Sequence, residues 1–247
     1  MNSGLYGACA GLMARMEALD TIAANVANSS TAGFRGEENT FGTVLAETGR
    51  HGRMSALNQV TNSFSQLAGS NTDETQGTIT RTGNKLDLAI EGEGYFKIKT
   101  ANGFAYTRNG HFQLDANGRL TTTTGDLVMG EGGGPIVPGP GSVSISSSGI
   151  VSSNGAISGK LAIVTFAPGT TPTYRGAADY VAPAGTERPA SGASVQQGAL
   201  EDSNVSPIEG VVKLVSAQRA AESMRHALTL IDGEMDKTAV QDLARNN

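Results

Sequence analysis

Residues Leu5–Arg35 read LYGACAGLMARMEALDTIAANVANSSTAGFR. Within them Leu5, Cys9, Leu12, Met16, Leu19, Ala23 and Val26 recur in alternating steps of four and three, one unbroken heptad seam. Residues at that spacing share one helix face, and a mean repeat of about 3.5 favours left-handed pairing with another helix over burial in a mixed core. Ala, Leu, Met, Arg and Glu are good helix formers and no proline interrupts them, so a helix of about 35 to 40 Å is expected from Ser3 to Asn28. Gly4, Gly7 and Gly11 each cost about 1 kcal/mol relative to alanine, so the first turns are expected to fray until a partner covers them. Asn28, Ser29, Ser30 and Thr31 compete for backbone hydrogen bonds and end the helix. Gly33 can then take a left-handed cap, Phe34 folding back on the last turn and Arg35 placing a cation by the negative helix end.

A matching seam lies at the far end of the chain: Leu214, Ala217, Ala221, Met224, Leu228, Ile231 and Met235. Ser206-Pro207 opens this helix, with proline in the first turn where its missing N–H costs nothing, and the pattern runs to about Leu243. The two seams are expected to pair. Between them the period changes to two: Thr78–Thr82, Leu86–Ile90, Tyr95–Lys99, Phe104–Arg108, Ser142–Ile145 and Lys160–Phe166 alternate as strands do, with Thr82-Gly-Asn, Glu91-Gly-Glu-Gly and Ala101-Asn-Gly as turns. Asp115-Ala-Asn-Gly118 marks a hairpin joining His111–Leu114 to Arg119–Thr122. Pro168, Pro172, Pro183 and Pro189 crowd residues 167 to 192, which are expected to wander over the surface. The fold class is α+β, with N- and C-terminal helices paired as a coiled-coil-like α-domain and a central all-β domain of short antiparallel strands. The expected boundaries are an N-terminal helix over 1–35, a polar connector over 36–75, the β-domain over 76–200 and the C-terminal helix over 201–247.

Composition narrows the function classes. The 18 Lys plus Arg against 23 Asp plus Glu give a net charge of −5 with no dense basic run, so the electrostatic footprint of a nucleic-acid binder is missing. With 33 glycines, no tryptophan and 5% aromatic residues, the β-region has few large core anchors. Arg15, Glu17 and Asp20 come too early for a secretory signal peptide, and no run reaches the roughly 18 apolar residues of a membrane span. Cys9, the single cysteine, reads as a small core residue on the seam rather than a reactive thiol.

Little points to chemistry. His51, His111 and His226 fall in three different regions and no spacing matches a zinc site. Gly92-Glu-Gly94 lacks the rest of a dinucleotide loop, and the glycines from Gly132 lack the Lys-Ser or Lys-Thr of a phosphate loop. Asp87, Glu91 and Glu93 are the densest carboxylates of the β-region. Without aromatic residues to bind a sugar ring they read as a solvated strand edge rather than a glycosidase pair. Asn28-Ser-Ser30 and Asn204-Val-Ser206 match a glycosylation triplet too common to decide anything. No catalytic, metal or cofactor residue is assigned.

Longer blocks carry a resemblance. Ala24–Phe34 (ANVANSSTAGF) is similar to the signature of bacterial flagellar rod and hook proteins. Leu86–Phe96, Tyr106–Phe112, Asn117–Leu120 with Gly125 and Gly130, Gly198–Val205 and Ala217–Glu222 resemble that family's remaining blocks in order. The Gly130–Pro138 segment and the short Ala167–Pro172 stretch look more like proximal than distal rod members. The resemblance implies a non-catalytic structural subunit of the flagellar basal body, in the rod that spans the periplasm. It implies export through the flagellar type III machinery largely unfolded and without a cleavable signal peptide. The partners implied are other copies of the chain and other rod proteins, in an axial tube built from the terminal helices. Its assembly interface would then comprise Leu5, Leu12, Met16, Leu19, Asn25, Val26, Asn28, Gly33 and Phe34 with Leu214, Met224, Leu228, Ile231 and Met235. A distal rod or other axial protein is the alternative within the family. A helical stalk carrying a β-domain that binds a soluble partner or glycan is the alternative outside it.

Overall fold

The structure, a computed structural model, describes residues 2–45 and 63–245, with side chains described over 9–39 and 71–229. Its contacts divide into two units, one comprising Met1–Val26, Glu37–Ser70 and Pro207–Asn247, the other Ala27–Gly36 and Asn71–Ser206. The class is α+β.

The first unit holds the two helices, α1 (Asn2–Ala27) and α2 (Pro207–Arg245), and a two-stranded sheet of β1 (Glu37–Leu45) with β2 (Ser63–Thr72). Both helices end within two residues of the limits expected from their periodicity, and Pro207 is the first residue of α2. They approach each other at two small residues. A Cβ at Gly210 would lie 2.5 Å from Val26 Cγ2, and one at Gly11 would lie 3.9 Å from Met224 Cε, so the helices run in opposite directions. The strands β1 and β2 fall where the sequence reads only as a polar connector. Asn25 ties β1 to α1, its side chain donating to the Glu37 carbonyl at 2.8 Å and accepting the Glu37 N–H at 3.0 Å. One turn earlier, Asn39 Nδ2 donates to Thr21 Oγ1 at 2.9 Å.

The second unit is built around β5 (Tyr95–Thr100), which pairs with β6 (Gly103–Thr107) along one edge. The other edge takes β9 (Leu127–Val128) and β13 (Ile163–Phe166). Beyond β9 lie β8 (Leu120–Thr122) and β7 (Phe112–Leu114), beyond β6 lie β15 (Asp179–Val181) and β14 (Thr173–Gly176), and β16 (Glu187–Pro189) flanks β13. A three-stranded sheet of β10 (Val143–Ile145), β11 (Ile150–Ser153) and β12 (Ala156–Lys160) stands beside it. Two strand pairs complete the unit, β17 (Ser194–Gln197) with β4 (Leu88–Glu91) and β18 (Ala199–Glu201) with β3 (Ile79–Arg81). Alternation along β5 sends Phe96 and Ile98 into a core with Leu88, Ile90, Phe112 and Leu120, and Tyr95 into a second cluster on the opposite face. The hairpin at Asp115–Gly118 forms as its residues predict, with Asp115 Oδ1 accepting the N–H of Asn117 and of Arg119, each at 2.8 Å.

Three expectations are corrected. Residues 167 to 192 do not simply wander: they contribute β14, β15 and β16, and Tyr180 is fully buried. The prolines stay at strand ends, since Pro172 and Pro183 flank strands and Pro189 is the last residue of β16, opposite Val164 of β13. Cys9 is exposed, not a core residue. Asp87 is 3% exposed and no solvated edge. Its carboxylate accepts from Thr82 Oγ1 at 2.6 Å and Asn84 Nδ2 at 2.9 Å and sits 2.8 Å from His111 Nδ1, tying the turn before β4 to the start of β7. Glu91 and Glu93 are exposed as expected.

Asp87→Ala strips the acceptor from three groups at once and is expected to destabilise the β-domain by about 1 to 3 kcal/mol. Thermal melting would show this as a fall of about 2 to 4 °C per kcal/mol for a chain of this size. Glu91→Ala and Glu93→Ala are expected to stay within about 0.5 kcal/mol of the parent. A second test uses pH. Burial, then the nearby Asp126, push the Asp179 carboxyl up to about 6 from an ordinary 3.8. The folded state therefore holds this proton more tightly than the unfolded chain does. The stabilisation is complete below about pH 4 and lost as pH rises through about 6. Asp179→Asn is expected to raise the melting midpoint at pH 7 and to flatten its slope between pH 4 and 6.

Candidate functional site at the signature loop

The residues between α1 and β1 begin with a turn. α1 stops at Ala27, Thr31 N–H returns to the Asn28 carbonyl at 3.0 Å, and Thr31 Oγ1 donates to Asn28 Oδ1 at 3.3 Å. The chain then enters the β-domain. Gly33 has φ +68°, where a side chain is disfavoured, and a Cβ there would lie 2.3 Å from the Arg108 carbonyl carbon. The left-handed glycine expected from the sequence is present, and it serves close approach to the backbone after β6. Phe34 packs within the β-domain. It is 1% exposed and meets Tyr174 edge-on, ring centroids 5.2 Å apart.

That contact is the end of a row. From Phe34 the rings run to Tyr174, Tyr180, Tyr95, Phe166 and Tyr106, with successive centroids 4.9 to 5.7 Å apart. Four of the protein's five tyrosines are here, which is how a chain with 5% aromatic residues anchors a second core. Each favourable pair contributes about 0.5 to 1.5 kcal/mol beyond the apolar area it buries. Burial pushes the Tyr180 hydroxyl well above its ordinary pKa, so it stays a neutral hydrogen-bonding group. It accepts the Arg35 N–H at 2.9 Å.

Arg35 is buried with Arg108 and Glu201, at 4%, 0% and 1% exposure. Arg35 Nη1 donates to Tyr95 Oη at 3.3 Å and its guanidinium lies over the Tyr95 ring, 5.4 Å from the centroid. Arg108 spends Nη1 and Nη2 on the carbonyls of Gly94 and Gly92, at 2.8 and 2.9 Å. Glu201 lies between the cations: Oε2 is 2.9 Å from Arg108 Nε, an ion-pair contact too bent for a hydrogen bond, and Oε1 is 3.8 Å from Arg35 Nη2. Oε1 also accepts the Gly77 N–H at 3.1 Å. Burial, then the repulsion of Arg35, pull Arg108 down to about 10, which leaves it charged at neutral pH. Backbone bonds fasten the same place. Gly33 N–H donates to the Glu201 carbonyl at 2.7 Å, Asn204 N–H to the Phe34 carbonyl at 3.3 Å, and Gly36 N–H to Asn204 Oδ1 at 2.8 Å.

The residues expected at an interface are thus divided. Gly33 and Phe34 are built into the β-domain, and Asn28 and Thr31 line a polar cleft of about 250 Å³ with His111, Thr122 and Asp179. Asn25 holds β1. Leu12, Leu19 and Val26 on α1 and Leu214, Met224 and Leu228 on α2 are half-buried, while Met16 is 56% exposed. The side chains of Leu5, Ile231 and Met235 lie outside the described residues. Sequence reasoning placed Arg35 at a helix end and assigned no role to Arg108, Glu201 or Asn204. The available signal was charge in otherwise apolar or turn-like blocks, Arg108 in Tyr106–Phe112 and the Glu201-Asp202 pair in Gly198–Val205. A larger cleft of about 500 Å³ beside β13 contains Lys97 and Glu187, but these pair at 2.6 Å and Glu187 also accepts the Tyr106 hydroxyl. Among the described residues, no three His, Cys, Asp or Glu side chains are grouped to hold a metal.

Comparison with known proteins falls on the same three parts of the chain. Residues 5–35 match the flagella basal body rod protein family, 89–153 the D1 domain of flagellar hook protein FlgE/F/G, and 196–241 the C-terminal region of flagellar basal body rod FlgEFG proteins. Arg35, Arg108 and Glu201 come one from each. The chain is 34% identical over 255 residues to the flagellar basal-body rod protein FlgF of Caulobacter vibrioides, covering 100% of both chains. It is 34% identical over 228 residues to FlgF of Mesorhizobium japonicum, covering 90% of both. The rod protein FlgG of Bacillus subtilis is 32% identical over 253 residues, 94% of this chain and 96% of that one. With end-to-end likeness at this level, and every matched segment meeting at one buried cluster, the chain belongs to the flagellar basal-body rod protein family.

Proposed function

We propose that the protein is a structural, non-catalytic subunit of the flagellar basal-body rod, of the proximal type to which the FlgF relatives correspond. It is exported by the flagellar type III route without a cleavable signal peptide and assembles with its own copies and other rod proteins through α1 and α2. The observation that carries this reading is the apolar surface the helices leave open in the single chain. Met13 is 71% and Met16 56% exposed on α1, and Ile208 and Val212 are 80% and 64% exposed on α2. Fully burying such a side chain contributes about 1.5 to 3 kcal/mol, enough in sum to order glycine-weakened helix ends. The close approaches at Gly11 and Gly210 support a coiled-coil-like pairing of the helices, with further faces left for neighbours. No helix among the described residues is long and apolar enough to cross a membrane.

Leu12→Asp or Leu228→Asp is expected to abolish incorporation into basal bodies and swimming while the tyrosine near-ultraviolet circular dichroism of the β-domain stays unchanged. Normal swimming of both variants would refute assembly through the helices. A protein that stays monomeric with complete helicity at any concentration would favour the stalk instead. Subtype is tested by expressing the gene in strains lacking FlgF or FlgG. Restored motility only in the first is the expected result, and restoration only in the second makes this a distal rod protein.

A further inference from the structure

We propose that Glu201 is a latch: one carboxylate shared by two buried guanidiniums, which makes docking of the Ala27–Gly36 loop and docking of the Ala199–Asn204 segment conditional on each other. The inference concerns how the β-domain closes and stands whether or not the rod reading holds.

The geometry is asymmetric in a way that ordinary ion pairing does not explain. Two cations, Arg35 and Arg108, face one anion, and Glu201 is the only carboxylate among the described residues in an ion pair with either of them. Arg35 Nε makes no hydrogen bond. Around them are neutral groups, the hydroxyls of Tyr95 and Tyr180 and the carbonyls of Gly92 and Gly94. Glu74 is the one further carboxylate near enough to act on the Tyr95 hydroxyl, and it is exposed. With Glu201 in place the cluster carries one excess positive charge, and without it two guanidiniums are buried with no counter-ion. Burying an unpaired charge is far costlier than burying a pair. The loop that carries Arg35 therefore gains little by docking until Glu201 has arrived, and Glu201 loses a partner if the loop leaves.

The backbone enforces the same condition. The N–H of Gly33 is bonded to the carbonyl of Glu201 itself, and Gly36 N–H to the side chain of Asn204, so the loop's own amides find their acceptors on the C-terminal segment. Asp202 N–H in turn reaches the Thr78 carbonyl beside β3. Residue 201 is made 166 positions after residue 35. A chain folding from its N-terminus thus lacks the latch until the β-domain is almost complete, and the loop stays undocked for all of that time.

Hydrogen exchange on the full-length protein tests this. In the parent, the amides of Gly33, Arg35, Gly36 and Asp202 are expected to exchange together and with the protection of the domain core, represented by Ile98 and Val128. Glu201→Gln keeps the shape and removes the charge. It is expected to speed exchange about a hundredfold at both segments, while the core amides change by less than about tenfold. Arg35→Met added to Glu201→Gln removes one stranded cation and is expected to restore at least about tenfold protection at Asp202, the non-additivity of a shared partner. Loss of protection confined to residues 199–204, equal loss at the loop and the core, or strictly additive variants would each overturn the latch. If Glu201→Gln alone does not fold, recovery of a folded protein by the double variant supports the proposal, and its failure to fold overturns it.

Discussion

Glu201 lies with its carboxylate 2.9 Å from one buried guanidinium and 3.8 Å from another, and the architecture around it follows from the need to keep those charges out of water together. Ions desolvated this completely must be neutralised or spread over hydrogen bonds. The chain does both. Carbonyls of the turn before β5 take the far side of Arg108, the Tyr95 hydroxyl takes the Arg35 guanidinium while Tyr180 takes the Arg35 backbone N–H, and the Gly77 amide takes a lone pair of Glu201. These groups come from several segments, so the cluster can form only when β3, β5, β6, β15, β18 and the signature loop are all in register. A core of aliphatic side chains alone would tolerate a one-strand slip more readily than this arrangement does.

The aromatic row makes the burial possible. The Gly-rich β-region has few large side chains, and the apolar cluster around Phe96 and Phe112 is served by one face of the sheet. Concentrating four tyrosines with Phe34 and Phe166 on the other face gives an apolar wall that also carries hydroxyls at its rim. Tyrosine suits this place because its ring buries like phenylalanine while its oxygen can meet a backbone amide or a guanidinium. At Tyr180 both uses coincide: it stacks between Tyr174 and Tyr95 and accepts the Arg35 amide.

What could be read from the sequence was what local periodicity controls. The helices follow from their seams, the hairpin at Asp115–Gly118 from its turn residues, and the antiparallel β-domain from its alternation. What could not be read depends on partners far along the chain. The strands β1 and β2 lie in a largely polar stretch and find each other across the 17 residues that separate Leu45 from Ser63. Tyr180 sits among prolines that suggest a loop, yet it is buried between the rings of Tyr95 and Tyr174. Asp87 looks like a surface charge because the groups that surround it come from the preceding turn and from His111, 24 positions on. Gly33 and Phe34 were assigned by a helix-cap rule that fits their residue types. That rule does not foresee their tertiary contacts, Gly33 against the Arg108 backbone and Phe34 against Tyr174. The family resemblance, carried by longer blocks, survived these local errors because several blocks converge on one cluster.

The two units satisfy themselves by different means. In the β-domain, the core side chains are paired off internally: rings meet rings, the buried cations share a carboxylate, and Lys97 is matched to Glu187, while Phe104, Leu114, Val137 and Ile157 stay exposed. The helices leave methionine exposed on α1 and isoleucine and valine exposed on α2. Two antiparallel helices can cover at most one stripe of each other, and glycines such as Gly11 and Gly210 let them approach closely while contributing little area. That approach leaves Met13 and Met16 on α1 and Ile208 and Val212 on α2 exposed. The β-domain therefore holds its shape by its own pairings, whereas the apolar side chains exposed on the helices are covered by none of the described residues of the single chain.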